Sequence, residues 1–489
     1  MTVTAREYID YGLFLAQTGK IEDAISIFCQ AIEKDPTQAE AYNNLGVLFR
    51  EKRELRSAEA CFRKAIDLRP EDAIHYNNLA LVFLDTQRLA EAELCLQEAL
   101  KFDADLPELY NSLALVYEEE HEVEKAQLAY GRAIEIHPKY TAALYNLGIL
   151  LKSIKQSERA EYWLKQAIKS QPDYGPAEFA LATLYLREGR YADGWKLYDA
   201  SRLLKVKNRA GSIPIWQGEA LAGGKLLLFY DQGFGDTIQF VRYVDMAAAL
   251  GAKIVLWVQA PLRALLETSY PELDIYAGAA RPAEQFDYAC SLMSLPKVFH
   301  TTMSTIPRGI PYIQATPACM EKWQNRLAGV NPLKKKKIGV VWAGNPKHND
   351  DQNRSIAFSL FHSLFSGKDV LWVSLQAGQR ALDLTGASAR VIDYSAEFLD
   401  FSQTAGLIAN LDLVITIDSA VAHLAGAMGK TTWLLLPFSP DWRWHMERRD
   451  SPWYSTMRLF RQTASGDWPE VLNRVKIALQ DFILQEPGK

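Results

Sequence analysis

A step of 34 residues governs the first two hundred positions of the chain. "YNNLGVLF" at 42 returns as "YNNLALVF" at 76, "YNSLALVY" at 110 and "YNLGILL" at 145. Pro36, Pro70, Ala104, Pro138 and Pro172 keep the step, as do Gly12, Gly46, Ala80, Ala114 and Gly148. Two further columns follow it: Ala24, Ala58, Ala92, Ala126 and Ala160, then Phe28, Phe62, Leu96, Tyr130 and Leu164. A unit of this length cannot bury its apolar face alone and must stack on copies of itself. The columns read as pairs of antiparallel helices. Small Gly or Ala lets the two helices approach, the bulky column fills the space between neighbouring repeats, and proline stops the second helix. Five repeats are clear, and "AEFALATLYLREGRYADGWKLYDA", from about 177 to 200, makes a sixth.

This pattern resembles the tetratricopeptide repeat, which has a period of about 34 residues. Such arrays form a curved solenoid with a concave inner surface. One polar column recurs on the first helix: Asn44, Asn78, Ser112 and Asn146. Asparagine is a poor mid-helix residue, so the column has a purpose. A row of amides can grip the backbone of an extended peptide, or it can bridge neighbouring turns within the array. In peptide-binding tetratricopeptide proteins such asparagines line the groove, so the resemblance implies Asn44, Asn78 and Asn146 as polypeptide-binding residues.

The rest of the chain must hold more. Its 489 residues exceed one hydrophobic core, so two or three domains are expected. With 54 basic against 59 acidic residues, the balance gives no support to a nucleic-acid or membrane-surface role. The start "MTVTAREYIDYGLF" lacks the pattern of a secretory signal, and no apolar run approaches the ~20 residues of a membrane span. The five cysteines, Cys29, Cys61, Cys95, Cys290 and Cys319, form no CxxC pair, so a reducing cytoplasm fits better than a disulfide framework or zinc site.

After residue 202 short β-rich runs alternate with helical ones. The first set is 225–230, 253–259, 273–278 and 287–292. A Pro- and Lys-rich break follows, in which Lys334 to Lys337 read as a solvated segment. The second set is 337–344, 370–376, 389–395, 411–418, 431–437 and 457–462. Buried strands with intervening helices imply parallel sheets, here two doubly wound domains with ligands at the carboxyl ends of the strands.

Three loops follow such strands directly. In "DQGFGDT" the glycines permit a tight turn, and Asp236 opens a helix. There it serves as a helix cap, or, kept ionised by the helix start, as a general base. In "WAGNPKHNDDQNRSI", residues 342–356, Gly344 and Asn345 can offer N–H groups and Arg354 a fork for phosphate oxygens, while His348 has no partner pattern. In "VITIDSAVAHLAGAMGK" the N–H groups of Ser419, Ala420 and Val421 would suit a diphosphate. Asp418 would cap the helix or accept from a sugar hydroxyl, and His423 is either structural or part of the site. No motif supports a metal site or a P-loop.

"GFGD", "WAGNP…NRS", "SLQ", "DSAVAHLAGAMG" and "PDWRW…SPWYSTMRLFRQ" together are similar to bacterial tetratricopeptide proteins with a C-terminal region like the heptosyltransferases, which have the GT-B fold; the domain order is similar to that of protein O-GlcNAc transferases. The resemblance implies an α solenoid over 1–202, followed by an α/β GT-B-like pair of doubly wound parallel-sheet domains over 203–330 and 331–489. It implies Asp236 as the base. On the nucleotide-sugar side it implies Gly344, Asn345, Arg354, Gln376, Asp418, Ser419, Ala420 and His423. The family commonly has lysine where Arg354 stands, and glycine where Ala420 stands. The expected function is metal-independent inverting transfer from a nucleotide sugar, without other cofactor, to a polypeptide recruited by the array. Alternatives are a non-catalytic scaffold with a degenerate transferase unit, or a transferase acting on a glycan or lipid. Trp442 and Trp444 belong to the tetratricopeptide-containing subgroup and have no role legible from sequence.

Overall fold

The computed structural model describes residues 3–348, 350–365, 369–385 and 391–484. The chain divides into two compact units, Met1–Ala177 and Glu178–Lys489.

In the first unit the period becomes five helical hairpins. They are Ala5–Gln17 with Ile21–Lys34, Ala39–Glu51 with Leu55–Leu68, Ala73–Asp85 with Leu89–Phe102, Pro107–Glu119 with Val123–Ile136, and Thr141–Ser153 with Ser157–Ser170. Each second helix ends two residues before the proline column. The small column is required by space. A Cβ on Gly46 would lie 2.7 Å from the Phe62 ring, and one on Gly148 would lie 2.8 Å from Leu164. The bulky column therefore closes against the glycine of its own hairpin. It also joins clusters that reach the next repeat, as Phe28 does with Leu45.

The turns repeat as well. Gly19 (φ 77°), Arg53 (61°), Gln87 (60°), His121 (62°) and Lys155 (64°) adopt the left-handed conformation at one column, which Gly189 (82°) continues. After each, an N–H reaches back to cap the first helix, as Glu54 does to the Phe49 carbonyl at 2.8 Å. The sixth hairpin, Gly175–Arg187 with Tyr191–Ala200, thus keeps the turn of the array. From Glu178 onward it belongs to the second unit, where Leu186, Tyr191, Trp195 and Tyr198 enter the main core.

The second unit holds two parallel sheets. The first contains β1 (Lys225–Phe229), β2 (Lys253–Trp257), β3 (Asp274–Tyr276) and β4 (Tyr288–Ser291) in the order β3-β2-β1-β4. The second contains β5 (Lys336–Val341), β6 (Val370–Ser374), β7 (Val391–Asp393), β8 (Leu413–Ile417), β9 (Thr432–Leu436) and β10 (Met457–Arg461). Its order is β10-β9-β8-β5-β6-β7. Every pairing between these strands is parallel. All ten strands fall on the expected runs, although the first two residues of the run 389–395 lie outside the described residues. β8 and β9 are buried along their whole length, which explains why each is apolar but for one threonine.

Strand order locates the ligand-binding positions. In each sheet the first strand in sequence has neighbours reached by crossovers to opposite sides: β1 lies between β2 and β4, and β5 between β6 and β8. The crevice outside the carboxyl ends at such a switch point is where open parallel sheets bind ligands. The loops after β1, β5 and β8 are the three singled out by sequence.

Candidate functional site

The loop after β1 departs from the expected tight turn. Gly233 is extended (φ −72°, ψ 177°) and the helix begins at Phe234, so Asp236 is its third residue. The Asp236 carboxylate reaches back to accept from the Gly233 N–H at 2.9 Å, which caps the helix. Gly235 is helical, and its missing Cβ makes room for a neighbour. A Cβ there would lie 2.7 Å from Cδ2 of His423 and 3.6 Å from the Ala420 Cα. The second glycine of "GFGD" therefore serves helix packing rather than a turn, and the first is the extended residue that precedes the helix. Gly235 and Ala420 bring the helix Phe234–Phe240 of the first sheet against the helix Ala420–Ala427 of the second.

A residue that sequence reasoning left out binds the two halves. Arg443 is buried and donates to Asp236 through Nη2, to Gln239 through Nε, and to Asp441 through Nη1 at 2.9 Å. Its guanidinium lies 4.4 Å from the Trp442 ring centroid. Burial opposes its charge, but Asp441 and Asp236 outweigh burial and hold its pKa above the ordinary value. Burial raises the pKa of the Asp236 carboxyl, and Arg443 opposes that shift.

Beside it, Asp418 accepts from Trp444 Nε1 at 2.8 Å. Desolvation, reinforced by Asp441, pushes its carboxyl up to about 6. His423 hydrogen-bonds the Tyr454 hydroxyl through Nδ1 at 2.9 Å and stacks on Trp444 at 5.4 Å. Burial, with Arg443 and Arg242 nearby, pushes its pKa well below the usual range, so the ring is neutral. The small residues after it seat Tyr454, whose ring a Cβ on Gly426 would meet at 2.6 Å. The two tryptophans thus acquire roles. Trp444 positions Asp418 and His423, while Trp442 packs edge-on against Trp195 at 5.2 Å.

Ser419 precedes the helix with its hydroxyl turned to Thr416 at 3.1 Å. Among the described residues no protein acceptor takes the N–H of Ser419, Ala420 or Val421. The loop after β5 is more self-contained. The Gly344 N–H donates to Ser355 Oγ at 2.9 Å, and Arg354 folds over Gly344, where a Cβ would meet its Nη2 at 2.7 Å. Asn345 turns its side chain to the Lys347 N–H at 3.0 Å. Gln376, buried, accepts from the Ala343 N–H at 3.0 Å and donates to the Ala343 carbonyl at 2.9 Å, so it staples the ends of β5 and β6. An open cavity of about 360 Å³ lies alongside, lined by Pro346, Gln379, Arg380, Leu382 and Asp383. Among the described residues no three His, Cys, Asp or Glu side chains gather as metal ligands would. No described helix is long and apolar enough to cross a membrane.

In the first unit the asparagine column forms a ladder. Asn78 Nδ2 donates to Asn43 Oδ1 at 2.8 Å and Asn146 Nδ2 to Asn111 Oδ1 at 3.0 Å, each across a step of 35 residues. The same step from Asn77 arrives at Ser112, and Asn77 Oδ1 is buried without a partner. From Asn44 it leads back to Ile9, which has no side-chain acceptor. Bridging between repeats is thus observed for two of the three asparagines.

Fold and columns together define the first unit as a tetratricopeptide-repeat array, and the second carries parallel α/β sheets. Residues 2–183 match the family described as the Cilia and flagella-associated protein 70 C-terminal domain. Protein FlbA of Caulobacter vibrioides is 28% identical over 335 residues, 62% of this chain and 55% of that protein. The chain therefore spans about half the length of this curated relative. Among solved structures, Pseudomonas aeruginosa pilF is 21% identical with a TM-score of 0.35, covering 42% of this chain and 93% of that one. Yeast Tom70 is 23% identical with a TM-score of 0.36, covering 41% and 43%.

Proposed function

We propose that this protein is a glycosyltransferase of the GT-B kind whose repeat array recruits a polypeptide acceptor. The reading rests on one observation: the helix start that carries Gly235 and Asp236, at the switch point of the first sheet, packs through Gly235 on Ala420 and His423 at the switch point of the second. The unused N–H groups of Ser419, Ala420 and Val421 suit the diphosphate of a nucleotide sugar. In an inverting transfer the acceptor oxygen forms the new bond to the anomeric carbon. Its proton passes to Asp236, and the bond from that carbon to the diphosphate breaks. Helix N–H groups stabilise the charge that builds on the leaving diphosphate. Arg443 favours the ionised form of Asp236 that a base needs.

A second reading, a protein-binding scaffold, has its own support. Arg443 occupies one oxygen of Asp236, and the polar groups of Gly344 and Gln376 are engaged within the protein. Thermal unfolding with UDP, GDP, ADP and CMP separates the two. A nucleotide at 100 times its dissociation constant stabilises by about 2.7 kcal/mol. Silence to all four at millimolar concentration leaves the scaffold reading standing and removes the transferase.

A further inference from the structure

A cavity of about 590 Å³ opens where the turn before the third hairpin meets the turn that follows it. Its floor is apolar, made by Pro70, Ile74, Phe102 and Leu106. Ile74 and Phe102 are exposed, at 49% and 44%. Ile74 occupies the first turn of its helix, where the positive helix end favours acids. The neighbouring repeats do carry acids there, Glu40 and Glu108 at the same column. An apolar, β-branched side chain facing water at that position gains nothing for the helix. The rim carries three carboxylates, Glu71, Asp72 and Asp103, against one guanidinium, Arg69. Asp72 accepts from the Ile74 N–H through Oδ1 at 3.1 Å and faces His75 Nε2 with Oδ2 at 3.5 Å, while Asp103 accepts from the Asp105 N–H through Oδ1 at 3.0 Å.

We propose that this cavity docks a basic polypeptide segment that inserts one bulky apolar side chain between Ile74 and Phe102. The charge of the rim selects the flanking lysines or arginines, and the apolar floor takes the anchor. The site is separate from the asparagine ladder and does not depend on the transferase reading.

The test uses the full chain and a fluorescein-labelled synthetic peptide with one central leucine flanked by lysines and arginines, followed by anisotropy. Two comparison peptides replace the leucine with serine, or the basic residues with glutamate. Ile74→Glu restores the residue of the neighbouring repeats, so the hairpin tolerates it. Unchanged far-UV circular dichroism verifies this, and Asp103→Lys on the rim provides a second variant. Losing burial of one leucine-sized anchor weakens binding roughly 10- to 100-fold. That loss is expected for Ile74→Glu and for the serine peptide. Asp103→Lys and added salt should weaken binding too, and the glutamate peptide should not bind. Equal binding of the leucine and serine peptides, or by wild type and Ile74→Glu, would reduce the effect to diffuse attraction and overturn the proposal. A change of sedimentation coefficient with Ile74→Glu, without peptide binding by the wild type, would assign the cavity to a second copy and overturn it equally.

Discussion

Replacing Gly235 by alanine tests how the two sheets are joined. The added Cβ would lie 2.7 Å from Cδ2 of His423, whereas carbon atoms rest ~3.5–4.0 Å apart. About 1 Å must therefore be found. The ring cannot supply it freely, because Nδ1 is bonded to Tyr454 and the face is stacked on Trp444. The helices must separate, and forced overpacking of this kind costs about 1–3 kcal/mol. Alanine returns part of the ~1 kcal/mol that glycine costs in a helix interior, less in a first turn. The net expectation is a loss of about 1–2 kcal/mol, or roughly 2–6 °C in the midpoint of a unit this large. Tryptophan fluorescence reads that unit selectively, since eleven of the twelve tryptophans, all but Trp163, lie in it. His423→Ala removes the obstructing ring, so in that background Gly235→Ala should cost almost nothing. Gly233→Ala is the control. Its φ is −72° and its Cβ would sit 3.4 Å from Asp236 Oδ2, so its effect should stay within about 0.5 kcal/mol. A neutral Gly235→Ala, or a loss that persists without the His423 ring, would refute the packing argument.

Asp418 bears on the pH profile. Its folded pKa of about 6 exceeds the ~3.9 of an unfolded aspartate, so the folded state retains a proton that the unfolded state releases. Stability from this group is therefore complete below about pH 4 and is lost as pH rises through about 6, by up to ~2–3 kcal/mol. Asp418→Asn should unfold with the wild type at pH 4 and above it at pH 7; coincident curves at both pH values would contradict the shift. Ser112→Asn would extend the ladder to the orphaned Asn77 oxygen and raise array stability by about 1 kcal/mol, read as a higher urea midpoint of helical circular dichroism. A lowered midpoint would show that the column tolerates only serine there. With a turning-over donor, Asp236→Asn should cut the rate by ~10²–10⁴ while leaving nucleotide stabilisation in place, and an unchanged rate removes it as base.

The parts of the molecule that were legible in the sequence are those whose cause is local. A 34-residue column repeats because each hairpin meets the same neighbours, and the central strands, such as β1, β5, β8 and β9, are short apolar runs whose burial is written in their own residues. The site is a different matter, because its defining contacts join distant positions. Arg443 meets Asp236 across 207 residues, and Trp444 meets Asp418 across 26, so neither leaves a periodic or motif signal. The segment "PDWRW" did offer one hint: an arginine between two tryptophans is expensive to bury without a carboxylate, and two acids were available at strand ends. Glycine marks the deeper ambiguity. A single sequence shows that a position is glycine but not whether conformation or space demands it. Gly19 and Gly189 ease a left-handed conformation, with φ of 77° and 82°, that Arg53, Gln87, His121 and Lys155 also adopt at the same column. Gly235 and Gly344 are demanded by space, since each faces a side chain within 3 Å of where a Cβ would stand. The "GFGD" motif looked like a loop because glycine pairs usually are, yet its second glycine lies inside a helix and measures how closely the two halves of the site approach.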